Sequence, residues 1–74
     1  MYRKKEKEFM RNLVIKIVKF RYENELTQEE FAEKIEYYRE HIAKVETGKR
    51  NLSLRYIIRI CLAFDVEIGE LFSK

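Results

Sequence analysis

The 74-residue chain has no proline, no tryptophan, two glycines, one cysteine and one histidine. Without proline, and with its glycines at positions 48 and 69, it has little in its first half to break a helix. A single cysteine forbids an internal disulfide, and with one histidine it cannot supply the ligand set of a structural zinc site, so no metal or cofactor is expected. That cysteine usage fits a reducing, cytoplasmic compartment. No apolar run approaches the ~20 residues of a bilayer span, and no apolar signal core follows the basic start, so no membrane association is expected. Sustained period-two alternation is missing as well, which argues against strands and for an all-α fold. There is no paired acid, nucleophile–base set or phosphate-cradling glycine loop, so an enzyme is not expected.

What remains is apolar and charged. Apolar residues make up 46% of the chain, ten of them aromatic, enough for one small core in a chain too short for two domains. The net charge of +3 is unevenly spread. Residues 1–21 carry +6, residues 22–38 carry −5, residues 39–55 carry +3 and residues 56–74 carry −1. A basic patch suits a polyanion, though solvated faces of most proteins are charged too.

Residues 1–8 read as a charged arm or frayed helix start, and residues 9–74 as the folded domain. The basic triplet Arg3-Lys4-Lys5 is read as helix-start charge, with contact to a polyanion as the alternative. Phe9, Leu13, Ile17 and Phe20 recur at helical spacing, widened by Met10, Val14 and Val18, and predict a first helix from about Lys5 to Tyr22 or Glu23, with Ile15 off the stripe. Thr27 and Glu30 form a capping-box pattern that starts a second helix at Gln28, ending near Ile35 and burying Phe31, Ala32 and Ile35. A third helix, Arg39 to Glu46 or Thr47, buries Ile42 and Val45, and Gly48 ends it. After a basic loop, Lys49 to Leu52, Ser53 caps a fourth helix whose apolar face comprises Leu54, Ile57, Ile58, Ile60, Cys61 and Phe64. A last turn of helix, Ile68 to Phe72, lays Leu71 and Phe72 on the core. The polar face of the third helix (Arg39, Glu40, His41, Lys44) is not needed for burial. Composition alone reads it equally as a solvated surface or as one that meets a ligand.

The stretch Thr27–Gly48 resembles the helix-turn-helix of the Cro/phage-repressor family. Leu26-Thr27-Gln28-Glu29-Glu30-Phe31-Ala32 is similar to that family's L-T-Q-E-E-L-A opening, and Val45-Glu46-Thr47-Gly48-Lys49-Arg50-Asn51 to its I-E-x-G-x-R-x segment. The likeness extends from about Ile17 to Phe72 and implies a compact five-helix, lambda-repressor-like domain. It implies a double-stranded DNA operator as partner, with the third helix in the major groove and Tyr38, Arg39, Glu40 and Lys44 at base edges. Phosphate contacts are implied for Thr27, Gln28, His41, Thr47, Lys49, Arg50 and Asn51. The family's ion pair between its first helix and the end of its recognition helix falls on Arg21 and Glu46.

The resemblance also implies a homodimer on a two-fold operator. An exposed apolar patch of Tyr56, Ile58, Leu62 and Ile68 is its expected interface. The small size and the Arg50-Asn51-Leu52-Ser53-Leu54 segment resemble the controller proteins of restriction–modification systems. The alternative is an antitoxin or adaptor that uses the same fold for protein binding, which the acidic run and Glu40 would suit. Two positions depart from the family. Glu36 stands where the turn usually has glycine, at about 1 kcal/mol if left-handed, and Tyr38 stands where a serine or threonine usually caps the third helix.

Overall fold

The computed structural model describes residues 1–73. They form five helices and no strand: α1 (Arg3–Glu23), α2 (Gln28–Ile35), α3 (Arg39–Glu46), α4 (Leu54–Phe64) and α5 (Ile68–Phe72). The all-α, five-helix expectation holds. α2 packs on α3 and α4, while α1 lies along α3 and α5 and α4 closes on α5. Where they meet, Ile17, Phe31, Ala32, Ile35, Ile42, Val45, Leu52, Tyr56, Ile60 and Leu71 form one buried cluster. Phe20 and Phe31 both set their rings against Phe64, at 5.2 and 5.7 Å between centroids, which joins α1 and α2 to the end of α4.

The helix starts follow their sequence signals. Thr27 Oγ1 accepts from the Glu30 amide at 3.1 Å, and the Glu30 carboxylate accepts from the Thr27 amide at 2.9 Å, completing a capping box. Ser53 accepts from the Tyr56 amide at the head of α4. Tyr38 gives α3 no side-chain cap.

The helix ends share one device. After α1, α2, α3 and α4 comes a left-handed residue: Glu25 (φ 56°), Glu36 (φ 61°), Gly48 (φ 80°) and Asp65 (φ 53°). The next amide then donates back across the last turn, from Leu26 to Arg21, Tyr37 to Ala32, Lys49 to Lys44 and Val66 to Cys61. This is the Schellman arrangement, which gives partners to carbonyls that a helix end leaves open. Glycine scarcity forces it onto carboxylate residues at three of the four ends. Glu36 stands out already in the sequence, as a departure from the family's turn, whereas Glu25 and Asp65 carry no such sign.

Three expectations need correcting. α1 begins at Arg3, two residues before the expected start. Phe9 is exposed, because the first two turns of α1 run beyond the packed body and residues 1–9 are all exposed. Leu54 is exposed too, because the inward line of α4 runs through Tyr56 and Ile60. Leu52 lies in the basic loop as expected, where it is buried and anchors that loop to the core.

Candidate nucleic-acid interface

α3 divides cleanly between core and solvent. Ile42 and Val45 are buried beneath it, while Arg39, Glu40 and Lys44 are exposed, as is Tyr38 just before it. Pinning comes from a polar chain that starts inside the protein. The Arg21 guanidinium, on a residue only 5% exposed, makes a two-pronged pair with Glu46: Nε to Oε2 at 2.8 Å and Nη2 to Oε1 at 2.9 Å. Its third nitrogen, Nη1, donates to the Leu26 carbonyl at 2.8 Å, so each nitrogen has an acceptor. The hydrogen bond to Glu46 raises the arginine pKa further, against the opposing effect of burial.

The chain then runs outward. Gln28 donates through Nε2 to Glu46 Oε1 at 2.9 Å, and its own Oε1 accepts from Arg39 Nη1 at 3.3 Å. Four residues from α1, α2 and α3 thus connect a buried ion pair to an exposed guanidinium on the outer face of α3. Gln28 sits at the first turn of α2, where backbone amides and the positive end of the helix point toward solvent.

A second cluster is built on His41, in the first turn of α3. His41 Nδ1 is 3.0 Å from Arg50 Nη1, which as an obligate donor makes the ring nitrogen the acceptor. Burial lowers the histidine pKa, and Arg50 and Lys44 lower it further, so the neutral ring is the form that suits this contact. The ring lies edge-on to Tyr37 at 4.6 Å and stacks on Tyr56 at 5.8 Å. Lys49 and Asn51 are exposed beside Arg50. Thr47 turns its hydroxyl back to the Ala43 carbonyl at 2.9 Å, and Thr27 is occupied in its capping box.

The structure therefore gathers Gln28, Arg39, Glu40, Lys44 and the Lys49–Asn51 loop around α3. Tyr56 does not belong with Ile58, Leu62 and Ile68. It is fully buried, 5.3 Å from Tyr37 between ring centroids, and cannot line an exposed interface. Tyr56 and Ile60, one helical turn apart, are the two buried residues of α4, which turns Ile58 outward. Burial pushes the Tyr56 phenol far above its ordinary value, and its hydroxyl has no hydrogen-bond partner among the described residues. Ile58, Leu62 and Ile68 are exposed, and Leu54 completes with Ile58 and Leu62 an outward stripe at four-residue spacing. Ile58, Leu62 and Ile68 border a groove between α4 and α5 whose walls also include Cys61 and Val66.

Sequence reasoning missed Arg59. From α4 it donates through Nη1 to the Ile35 carbonyl at 3.1 Å, lies 5.7 Å from the Tyr37 ring and 3.9 Å from the Glu36 carboxylate. It thereby braces the turn that aims α3. Its only signal was a cation within the apolar run Ile57 to Leu62.

The chain belongs to the helix-turn-helix family, whose model matches residues 17–71. This bears out the family read from the Thr27–Gly48 motif. Among its relatives is an HTH-type transcriptional regulator of Archaeoglobus fulgidus, 42% identical over 57 residues, which cover 77% of this chain and 81% of the relative. Another is the control protein C.MunI of a Mycoplasma species, 39% identical over 59 residues, covering 78% and 80% respectively. A second A. fulgidus transcriptional regulator is 37% identical over 57 residues.

Proposed function

We propose that the protein is a sequence-specific, duplex-DNA-binding transcriptional regulator that acts by occupying an operator rather than by catalysis. The observation that carries this is the chain Arg21–Glu46–Gln28–Arg39, which holds an exposed guanidinium on α3 in register with the first turn of α2. Such an arrangement suits a duplex, with α3 in the major groove and the α2 terminus at the sugar–phosphate backbone. Arg39 would pair with guanine O6 and N7, Glu40 would accept from cytosine N4, and Lys44 would reach a guanine or a phosphate. Tyr38 meets the backbone or a thymine methyl. Gln28, Lys49, Arg50 and Asn51 take phosphates, with Thr27, His41 and Thr47 at the margin of that contact. The likeness to a control protein and to transcriptional regulators supports the regulatory part of this reading.

One copy spans too few base pairs for a selective site, so two copies are expected on half-sites roughly 34–36 Å apart. The stripe Leu54-Ile58-Leu62 with Ile68 is the surface proposed for their pairing. Binding of the protein to duplexes from its own locus, measured by fluorescence anisotropy across a salt series, tests the reading. Affinity should fall steeply with salt, and Arg39→Ala should relax preference at one base position by roughly 1–3 kcal/mol. Absence of binding to any such duplex at low salt would refute it.

A further inference from the structure

We propose that the N-terminal half of α1, through Arg11, forms a second DNA-backbone surface, which grips phosphates flanking the half-site read by α3. This rests on the DNA-binding reading above and adds residues to it. Arg3, Lys7 and Arg11 recur every four residues, so they lie on one face of the helix. All three are exposed, and none has a hydrogen-bond or ion-pair partner among the described residues. They line one side of an open groove of about 1040 Å³. The α3–α4 loop supplies the other side through Thr47, Gly48, Arg50 and Asn51, and Met10, Val14 and Leu52 help form its apolar lining. The cations of α1 therefore continue the surface on which Arg50 and Asn51 already sit.

The groove is cationic on balance. Glu6 and Glu46 are its acids, and Glu46 is already bound to Arg21. The eight residue-to-residue steps from Arg3 to Arg11 rise about 12 Å along the helix. Successive phosphates of one strand rise about 3.4 Å along the duplex axis, so the stripe can follow several of them.

The charges are also misplaced for the helix that carries them. Arg3, Lys4 and Lys5 occupy the first turn, where a helix favours acids, with Glu6 the one acid there and no side-chain cap from Tyr2. Helix-start charge therefore does not account for the basic triplet, because it opposes the dipole it would have to complement. Nor does packing account for the stripe, because Arg3, Lys7 and Arg11 are all exposed. A polyanion beside the α3–α4 loop accounts for the stripe and for Arg3 of the triplet.

The test compares the full chain with the variant Arg3→Gln/Lys7→Gln/Arg11→Gln on two duplexes, one trimmed to the operator and one extended on both flanks. Circular dichroism checks that the variant folds, and removing the charges should leave α1 at least as stable. On the extended duplex the variant should bind about tenfold or more weakly, with unchanged base preferences. Its salt slope should be smaller by roughly one for each phosphate that is no longer neutralised. On the trimmed duplex the two proteins should converge. Equal affinity and equal slope on the extended duplex would overturn the α1 surface while leaving the α3 reading intact. Failure of the unmodified protein to bind either duplex would overturn both.

Discussion

Replacing Arg21 with methionine removes a cation from a position only 5% exposed and leaves the Glu46 carboxylate without its main partner. The Glu46 side chain is itself 9% exposed, so water does little to replace the guanidinium. Breaking one side of such a buried pair costs about 3–5 kcal/mol, because a buried charge is left uncompensated. At about 0.05–0.15 kcal/mol per residue, a domain of this length has roughly 4–11 kcal/mol in total, so the variant loses a large share of its stability. A loss near 3 kcal/mol corresponds to a drop in Tm of about 12–24 °C in a domain of this size. Glu46→Leu should be comparably damaging, since it orphans the cation and releases Gln28. The double variant Arg21→Met/Glu46→Leu should recover part of the loss, because an apolar pair removes both desolvated charges together. Urea unfolding followed by far-UV circular dichroism measures all four proteins, and the double-mutant cycle isolates the coupling. Single losses below about 1 kcal/mol that simply add would refute the reasoning and make the pair a solvent-screened one.

Other features of the fold give separate outcomes. Tyr56→Phe removes a buried hydroxyl with no partner among the described residues and should leave urea stability unchanged or raise it by up to about 1–3 kcal/mol, whereas a loss above about 1 kcal/mol would mean the hydroxyl is satisfied in solution. Glu36→Gly relieves a left-handed residue at the end of α2 and should stabilise by about 1 kcal/mol in the same assay, with Arg59 keeping its bond to the Ile35 carbonyl; a destabilised variant would mean that Glu36 is held by its charge. His41 has a lowered pKa in the fold, so below the ordinary histidine value the unfolded chain binds the extra proton more readily. Stability conferred by the neutral ring should therefore be full above that value and decline as pH falls toward the folded-state pKa, a slope that His41→Gln should flatten in thermal melts.

Much of this architecture was legible because its signals are local. Thr27 and Glu30 announce the start of α2 within four residues, Ser53 does the same for α4, and the spacing of Phe31, Ala32, Ile35, Ile42 and Val45 marks faces that are buried. Long-range relations were not legible by any such rule. Arg21 and Glu46 stand 25 positions apart, and only a family likeness joined them. Nothing local links Arg59 to the Ile35 carbonyl, 24 positions earlier. Tyr56 misled because a tyrosine carries a polar tip that usually reaches water, and its aromatic body could as well face outward as inward. Phe9 misled for a different reason. Helical spacing tells which residues share a face, but not how far along the helix the rest of the protein extends.

These long-range ties also explain why the exposed face of α3 and the core cannot be altered independently. Gln28 shares Glu46 with Arg21 and passes its other amide atom to Arg39, so the position of the outermost guanidinium depends on an ion pair inside the domain. Two residues after Arg39, His41 stacks on the fully buried Tyr56 while holding Arg50 of the α3–α4 loop. Arg59 fixes the turn before α3 by reaching across from α4. A helix of only eight residues is too short to be stable by itself, and α3 lacks a side-chain cap. Its orientation is therefore set by what it is tied to. Changes at Arg21, Tyr56 or Arg59 should alter DNA affinity through geometry, with salt slopes preserved, whereas changes at exposed cations should alter the slopes themselves.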